Sequence, residues 1–292
     1  MTGVQTCALP ICASAALTLA EPVLASYKQV PLIEPLAKQL KLKKAKLEDV
    51  LKVYAVAADY GVADVTTAAT FHIAALYQDF GQAMLGSQRP KKLGKAELEQ
   101  YNVMLEEQAD PFAQKATELH EVNARRAASG LYDEWVQKSF KALAALRPLR
   151  YGKAERSDAP AGLADASVAT LEAALAANAK QPQVANQLGI ALRKAGQFTK
   201  ARAAYERAIE LDAGAASALN ATTAASAASA ANPTLNLAIL HDLYLGDSAR
   251  ALALYDRYLA MTTGGDATVA KWVADLKNRK PPATLLSKKE PS

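Results

Sequence analysis

Cysteine is nearly absent. The 292 residues contain two, Cys7 and Cys12, both within the first twelve positions. Nothing from residue 13 onward can supply a disulfide framework, a thiolate nucleophile or a cysteine zinc site. Chemistry-bearing motifs are missing as well. There is no G-x-S-x-G, no phosphate-cradling glycine loop, no G-x-G-x-x-G between a strand and a helix, and no convincing strand at all. His120-Glu121 begins like the zinc motif H-E-x-x-H but continues Val122-Asn123-Ala124, so the second ligand is lacking. Carboxylates such as Glu106, Glu107 and Asp110 are plentiful, but neighbours on a helix point about 100° apart and do not form a working acid–base pair. Long apolar runs are scarce too: ASAALTLAEPVLASY is short and broken by Glu21 and Pro22, which argues against a bilayer span. What remains is 51% hydrophobic, 6% aromatic and 22% charged, the composition of an alanine-rich soluble helical protein. The formal charge of +5 is a mild basic bias, short of a nucleic-acid footprint.

The first twelve residues stand apart. MTGVQTCALPI resembles the translated read-through of a sequencing-adapter oligonucleotide, so residues 1–12 are set aside from fold and targeting arguments. The segment carries no charge, and the net balance is the same without it. A targeting signal would stand upstream of Ala13, where this sequence says nothing.

The most informative stretch is Pro182 to Ala213, PQVANQLGIALRKAGQFTKARAAYERAIELDA. Leu188-Gly189, Leu192, Gly196, Phe198, Ala201, Tyr205 and Ala208 alternate small and large residues at the packing positions of a helical hairpin. Gly189 and Ala201 are small where two antiparallel helices must approach. Gly196 can adopt the left-handed conformation that ends a helix, and Tyr205 is expected to fill the gap between units. The stretch resembles one tetratricopeptide repeat (TPR), a helix-turn-helix unit of about 34 residues. Ala213 stands where that family usually has proline.

One such unit cannot bury its apolar face alone, and about three stacked units are needed. Upstream, Ser167, Leu171 and Ala174 occupy the small, large and small positions of a preceding second helix. Downstream, Leu237-Ala238, His241, Gly246, Ala251 and Tyr255 mark another unit. Between them Ser217 to Asn232 is an Ala/Ser-rich insertion with little to bury. GGDATVAKWVADLKNRK then forms a capping helix over 263–280, with Asp266 at its start and Val269, Trp272, Val273 and Leu276 on one stripe. Trp272 and His241 read as packing residues, and 281–292 as a disordered tail.

In the N-terminal region, 13–147, Leu36, Leu40, Leu47, Leu51 and Tyr54 form one stripe of a helix running from Leu32 to Tyr60 and closed by Gly61. Lys38, Lys41, Lys43, Lys44 and Lys46 lie mostly off it, on a solvated face. Asp64 is expected to cap the next helix, in which Ile73-Ala74 and Tyr77 suggest a degenerate repeat-like hairpin. Asp110-Pro111 should restart a helix begun at Lys95, and Gly130 should end it. Leu131, Trp135, Val136, Phe140 and Leu143 face a core. Residues 148–164, with two prolines and a glycine among charges, read as a linker, and 165–262 as the repeats.

ADYGVADVTTAATFHIAALYQDF, YNVMLEEQADPFAQKATELHEVNARRA and YDEWVQKSF resemble, more loosely, the divergent region of envelope repeat proteins associated with bacterial TonB-ExbB-ExbD-like systems and gliding motility. Together these readings give an all-α protein of TPR-type hairpins stacked in a right-handed superhelical array. Its expected role is a non-catalytic scaffold with no catalytic residues, no metal and no cofactor. The resemblance implies a periplasmic or envelope location and protein partners such as TonB/ExbB/ExbD-like proteins, with no nucleic acid. The partner-binding groove is expected on the first-helix residues Gln183, Asn186, Ile190, Arg193, Lys194, Asn236, Ile239, Leu240 and Leu243. There Asn, Gln and Arg can hydrogen-bond an extended peptide or a carboxylate while Ile and Leu give apolar contact. An alternative is a periplasmic factor that binds peptidoglycan or anionic lipid through the lysine-rich helix, a peripheral membrane association. A small cytosolic helical enzyme is a third reading, and it would need a side-chain cluster that only folding could assemble.

Overall fold

The computed structural model describes residues 3–218, 224–262 and 265–279, the side chains of 3–7 and 214–229 excepted. Among the described residues every regular element is helical. The chain divides into two compact units, 1–151 and 152–292.

The first unit holds α1 (Gly3–Lys28), α2 (Leu36–Asp59), α3 (Ala63–Leu85), α4 (Lys95–Arg125), a short 3₁₀ turn (Arg126–Ser129), α5 (Glu134–Leu146) and the one-turn α6 (Pro148–Tyr151). Consecutive α-helices pack against one another, and Tyr27, Leu47, Val50, Tyr54, Leu76 and Phe80 make the core. Burial along α1 begins at Ala13 and continues through Ala16, Ala20 and Tyr27, while residues 8–12 are exposed. Among the described residues Ala8–Lys28 is long and apolar enough by composition to cross a membrane, but its buried face packs into the helical core.

Three local expectations change. Lys43 is not on a solvated face: its ammonium donates to the carbonyls of Tyr27, at 3.4 Å, and Val30, at 3.1 Å, and lies 4.1 Å from the centre of the Tyr27 ring. The end of α1 leaves carbonyls without helical partners, and a lysine reaching across from α2 satisfies them. Asp64 is not at the cap position of α3, which starts one residue earlier at Ala63 with Val62 at the cap position; it lies in the first turn, where its carboxylate accepts from Val65 N–H at 2.9 Å. Helix α4 does not restart at Asp110-Pro111 but runs through Pro111. Proline there forfeits one backbone bond, yet the Phe112 ring is held 4.6 Å, centre to centre, from that of Phe80. Packing against α3 overrides the local break signal.

In the second unit α7 (Val168–Ala177) precedes two hairpins, α8 (Pro182–Lys194) with α9 (Phe198–Ala218) and α10 (Ala224–Leu243) with α11 (Ser248–Met261), closed by α12 (Ala267–Asn278). Gly196 has φ 74°, and Gln197 N–H closes back on the Leu192 carbonyl at 2.9 Å, the left-handed helix stop. Gly189 is required by contact: a Cβ there would lie 2.3 Å from the Tyr205 ring. Tyr205 therefore fills the gap within its own hairpin rather than between units. Ser167 caps α7 through Thr170 N–H instead of packing as a small residue. Asp266 caps α12, whose Val269, Trp272, Val273 and Leu276 are buried. Of the Ala/Ser stretch 217–232, residues 219–223 lie outside the described residues, 217–218 end α9, and 224–232 form the start of α10, with Pro233 inside the helix.

The centre of the first unit is polar. Asn123 donates to the Thr67 carbonyl and to Ser139 Oγ, both at 3.0 Å, and Ser139 Oγ lies 3.3 Å from His120 Nδ1. Asp133 caps α5 and accepts from Thr67 Oγ1 at 2.5 Å. Burial pushes the His120 imidazole down to about 4, against about 6.5 in an unfolded chain. The folded state thus binds fewer protons between those values. This contribution to stability is complete above about pH 6.5 and is lost as pH falls toward 4. Urea unfolding at pH 7 and pH 4 should show a loss in which His120 accounts for roughly 3 kcal/mol. His120→Gln should remove about that much of the pH difference, and an unchanged difference would contradict the assignment.

Candidate binding groove

Residues 152–158 of the second unit, Gly-Lys-Ala-Glu-Arg-Ser-Asp, contain no helix. They form a strap held by side chains of α8, α9, α10, α11 and α12. Lys153 is buried, Ala154 exposed and Glu155 again turned inward with its side chain 6% exposed, the alternation of an extended chain.

The strap's backbone is gripped at Arg156. Asn236 of α10 accepts from Arg156 N–H at 2.8 Å and donates to Arg156 C=O at 2.8 Å. Asn186 of α8 donates to the same carbonyl at 3.0 Å and to Asp158 Oδ1 at 3.2 Å, and its own oxygen accepts from Asn236 at 2.9 Å. Two primary amides in register complete the donor and acceptor of one residue, much as a neighbouring strand would. Both side chains are fully buried, where polar groups need hydrogen-bond partners, and the strap backbone supplies part of them.

The strap's side chains enter three seats. Glu155 accepts from Arg193 Nε at 3.0 Å, from Arg193 Nη2, and from Tyr205 Oη at 2.6 Å. Burial would lower the Arg193 guanidinium, but the bond and charge of Glu155 outweigh it and hold it above its usual value. Burial, then the Glu155 charge, pushes the Tyr205 phenol well up, so it remains a donor. Lys153, its side chain wholly enclosed, pairs with an equally enclosed Asp242 beside Tyr255 Oη, at 3.4 Å from the ammonium. The Tyr255 and Trp272 ring centres lie 5.0 and 5.4 Å from that ammonium. Arg279 adds a second cation to Asp242 at 2.6 Å and also pairs with Asp275. Burial draws the Lys153 ammonium down, and the Asp242 charge offsets this in part. Arg156 reaches Tyr258 Oη and, at 2.6 Å, Asp266, so Asp266 both caps α12 and holds the strap. Ser157 donates to Gln187 at 2.6 Å.

Of the residues expected to line a groove, Asn186, Arg193 and Asn236 meet on this strap. Asn186 and Asn236 are covered by it instead of standing open. Ile190, Ile239 and Leu240 are buried, Gln183 and Leu243 half-buried, and Lys194 exposed, and none of these six has a polar contact with the strap. Arg193 is not a free groove cation, since Glu155 neutralises it. Gln187, Tyr205, Asp242, Tyr258 and Asp266 escaped the sequence reading as groove residues because each also sits at an ordinary packing or capping position. The segment set aside as a linker over 148–164 is divided. Pro148–Tyr151 is helical in the first unit, and 152–158 is seated in the second.

Such an arrangement can hold an extended chain by amide bridges and paired charges. Among the described residues no three His, Cys, Asp or Glu side chains converge to hold a metal ion. Residues 182–215 match the tetratricopeptide repeat family, which covers the α8–α9 hairpin and supports protein–protein interaction as the general role. No curated protein matches the chain.

The enclosed pair has a testable asymmetry. Removing one charge from a buried pair strands the other, at about 3–5 kcal/mol. Asp242→Asn strands the enclosed Lys153 and leaves Arg279 with Asp275 alone, whereas Lys153→Met leaves Asp242 still paired with Arg279. In a Trp135→Phe background, where Trp272 is the remaining tryptophan, fluorescence-monitored urea unfolding should show Asp242→Asn losing about 3 kcal/mol or more and Lys153→Met less than half of that. Equal losses would mean that Lys153 and Arg279 do not share the carboxylate.

Proposed function

We propose that this protein is a non-catalytic scaffold whose helical-repeat groove binds an extended segment of a protein partner. We further propose that it works in the bacterial cell envelope, on the periplasmic side, with a TonB-like energy-transducing or gliding-motility machine. The observation that carries the binding half is the paired amide grip of Asn186 and Asn236 on the backbone of Arg156. Main-chain hydrogen bonds of this kind give affinity for an extended peptide whatever its sequence, and flanking pockets give selectivity. The repeat match over 182–215 supports the same role. The envelope setting is supported by the resemblance of stretches in the N-terminal unit to envelope repeat proteins. Seating of the strap by polar pairs leaves no acid–base pair unengaged in this groove, which favours a scaffold over an enzyme.

Affinity capture from detergent-solubilised envelopes of the source cells, with residues 13–292 as bait, tests both halves. ExbB-, ExbD- or TonB-like proteins should be enriched by the native chain and lost with an Asn186→Ala, Asn236→Ala double variant of unchanged helicity. Equal enrichment by both would place the contact outside the groove. Enrichment of no envelope protein would overturn the setting and leave the repeat fold.

A further inference from the structure

The strap is chemically a ligand. It contributes no large apolar side chain: Lys153, Glu155, Arg156 and Ser157 meet the helices through amides, hydroxyls and charges, and Gly152 and Ala154 are exposed. The apolar core of the second unit is made by the helices themselves, through Leu171, Leu188, Leu192, Leu235, Leu237 and Val269. Each of the three charges at positions 153, 155 and 156 has an opposite charge waiting. Lys153 faces Asp242, Glu155 faces Arg193, and Arg156 faces Asp266. At its end Asp158 is exposed, and beyond it Ala161-Gly162 form a turn, so the segment is bounded by surface chain. A fold element of ordinary structural purpose would fill this channel with apolar side chains, which need no match of charge. Three charge matches and an amide bridge on one stretch of polar residues are the features of recognition.

We propose that the strap is an internal occupant of the groove, and that the groove binds in trans an extended peptide with the same chemistry. Such a peptide carries a cation, a carboxylate two residues later and a guanidinium immediately after it, as in Lys-x-Glu-Arg. This deepens the scaffold reading and rests on it. The carboxylate lands between Arg193 and Tyr205, the first cation in the Asp242 seat, and the guanidinium on Asp266 and Tyr258, with Asn186 and Asn236 bridging the guanidinium residue's backbone. While the strap is seated the groove is closed to a partner. A tethered segment competes at an effective concentration on the order of millimolar, so a partner binds fully only when the strap is drawn out. The strap continues directly from Tyr151 at the end of α6, and tension or rearrangement in the preceding chain would extract it.

The test uses the full chain and a fluorescein-labelled synthetic peptide of residues 151–159, read by fluorescence anisotropy. A strap variant, Lys153→Ala, Glu155→Ala, Arg156→Ala, should bind the peptide at least about tenfold more tightly than the native chain does. A peptide with lysine at the glutamate position should lose that gain. Should the triple variant not fold, Arg156→Ala alone, which alters the most exposed of the three charged side chains, is the second test. It should bind the peptide more tightly than the native chain, by a smaller factor. A folded strap variant that fails to bind the peptide at millimolar concentration overturns the proposal and makes the strap a fixed part of the fold. If envelope partners are still captured by the native chain in that case, the scaffold reading stands without the strap. If both fail, the groove itself is not a binding site.

Discussion

Asn236 meets the N–H and the C=O of Arg156 with one carboxamide, and Asn186 meets the same carbonyl from the neighbouring hairpin. Both amides are buried, and an unsatisfied buried amide is costly, on the order of 1–3 kcal/mol. Two helices that carry such side chains on their inner faces therefore cannot be covered by an apolar element. They require either water or a peptide backbone. The chain supplies the backbone itself, and the seats for Lys153, Glu155 and Arg156 follow from where that backbone must run. Each seat is neutral as a whole, so no enclosed charge is left alone.

The hairpins that present these amides depend on unremarkable repeat physics. Gly196 ends α8 in a left-handed turn, and Gly189 admits the Tyr205 ring against its Cα. That close approach aims the Tyr205 hydroxyl at Glu155. The residue that makes the hairpin tight is thus also the one that completes the carboxylate seat. Asp266 has a similar double use, holding two amides of α12 on one oxygen and Arg156 and Tyr258 on the other. Packing and recognition share residues here, which ties occupancy of the groove to the integrity of α9 and α12. In the first unit the polar centre around Asn123 and His120 pairs its groups with Thr67 and Ser139 of the same unit.

The hairpin over 182–213 was legible because its signal is periodic and local: small and large residues recur at helical spacing, and a glycine marks the stop. The capping helix was legible for the same reason, down to the cap residue Asp266. Asn186, Arg193 and Asn236 could be named from their first-helix positions. Their occupant could not, because Lys-Ala-Glu-Arg-Ser-Asp has no apolar period and lies beside proline and glycine, which is also how a linker looks. Its meaning resides in residues far along the chain, and one sequence does not display those pairings. Lys43 and Pro111 were misread for a related reason. A lysine among lysines suggests solvent, and a proline after aspartate suggests a helix start, until carbonyls at the end of a neighbouring helix meet the lysine and packing of Phe112 on Phe80 carries the helix through the proline.

The seat of the strap is tested most directly by amide hydrogen exchange at Arg156 in the intact chain. A non-helical segment with its N–H open to water would exchange at the rate of a free peptide. With the N–H donated to Asn236, exchange should be slowed by about two orders of magnitude or more, corresponding to an opening free energy of roughly 3 kcal/mol. Replacement of Asn236 by alanine should abolish that protection and leave the amides of α8 and α9 protected. Free-peptide exchange at Arg156 in the native chain would contradict the seated strap, and with it the reading of the groove as a site already filled.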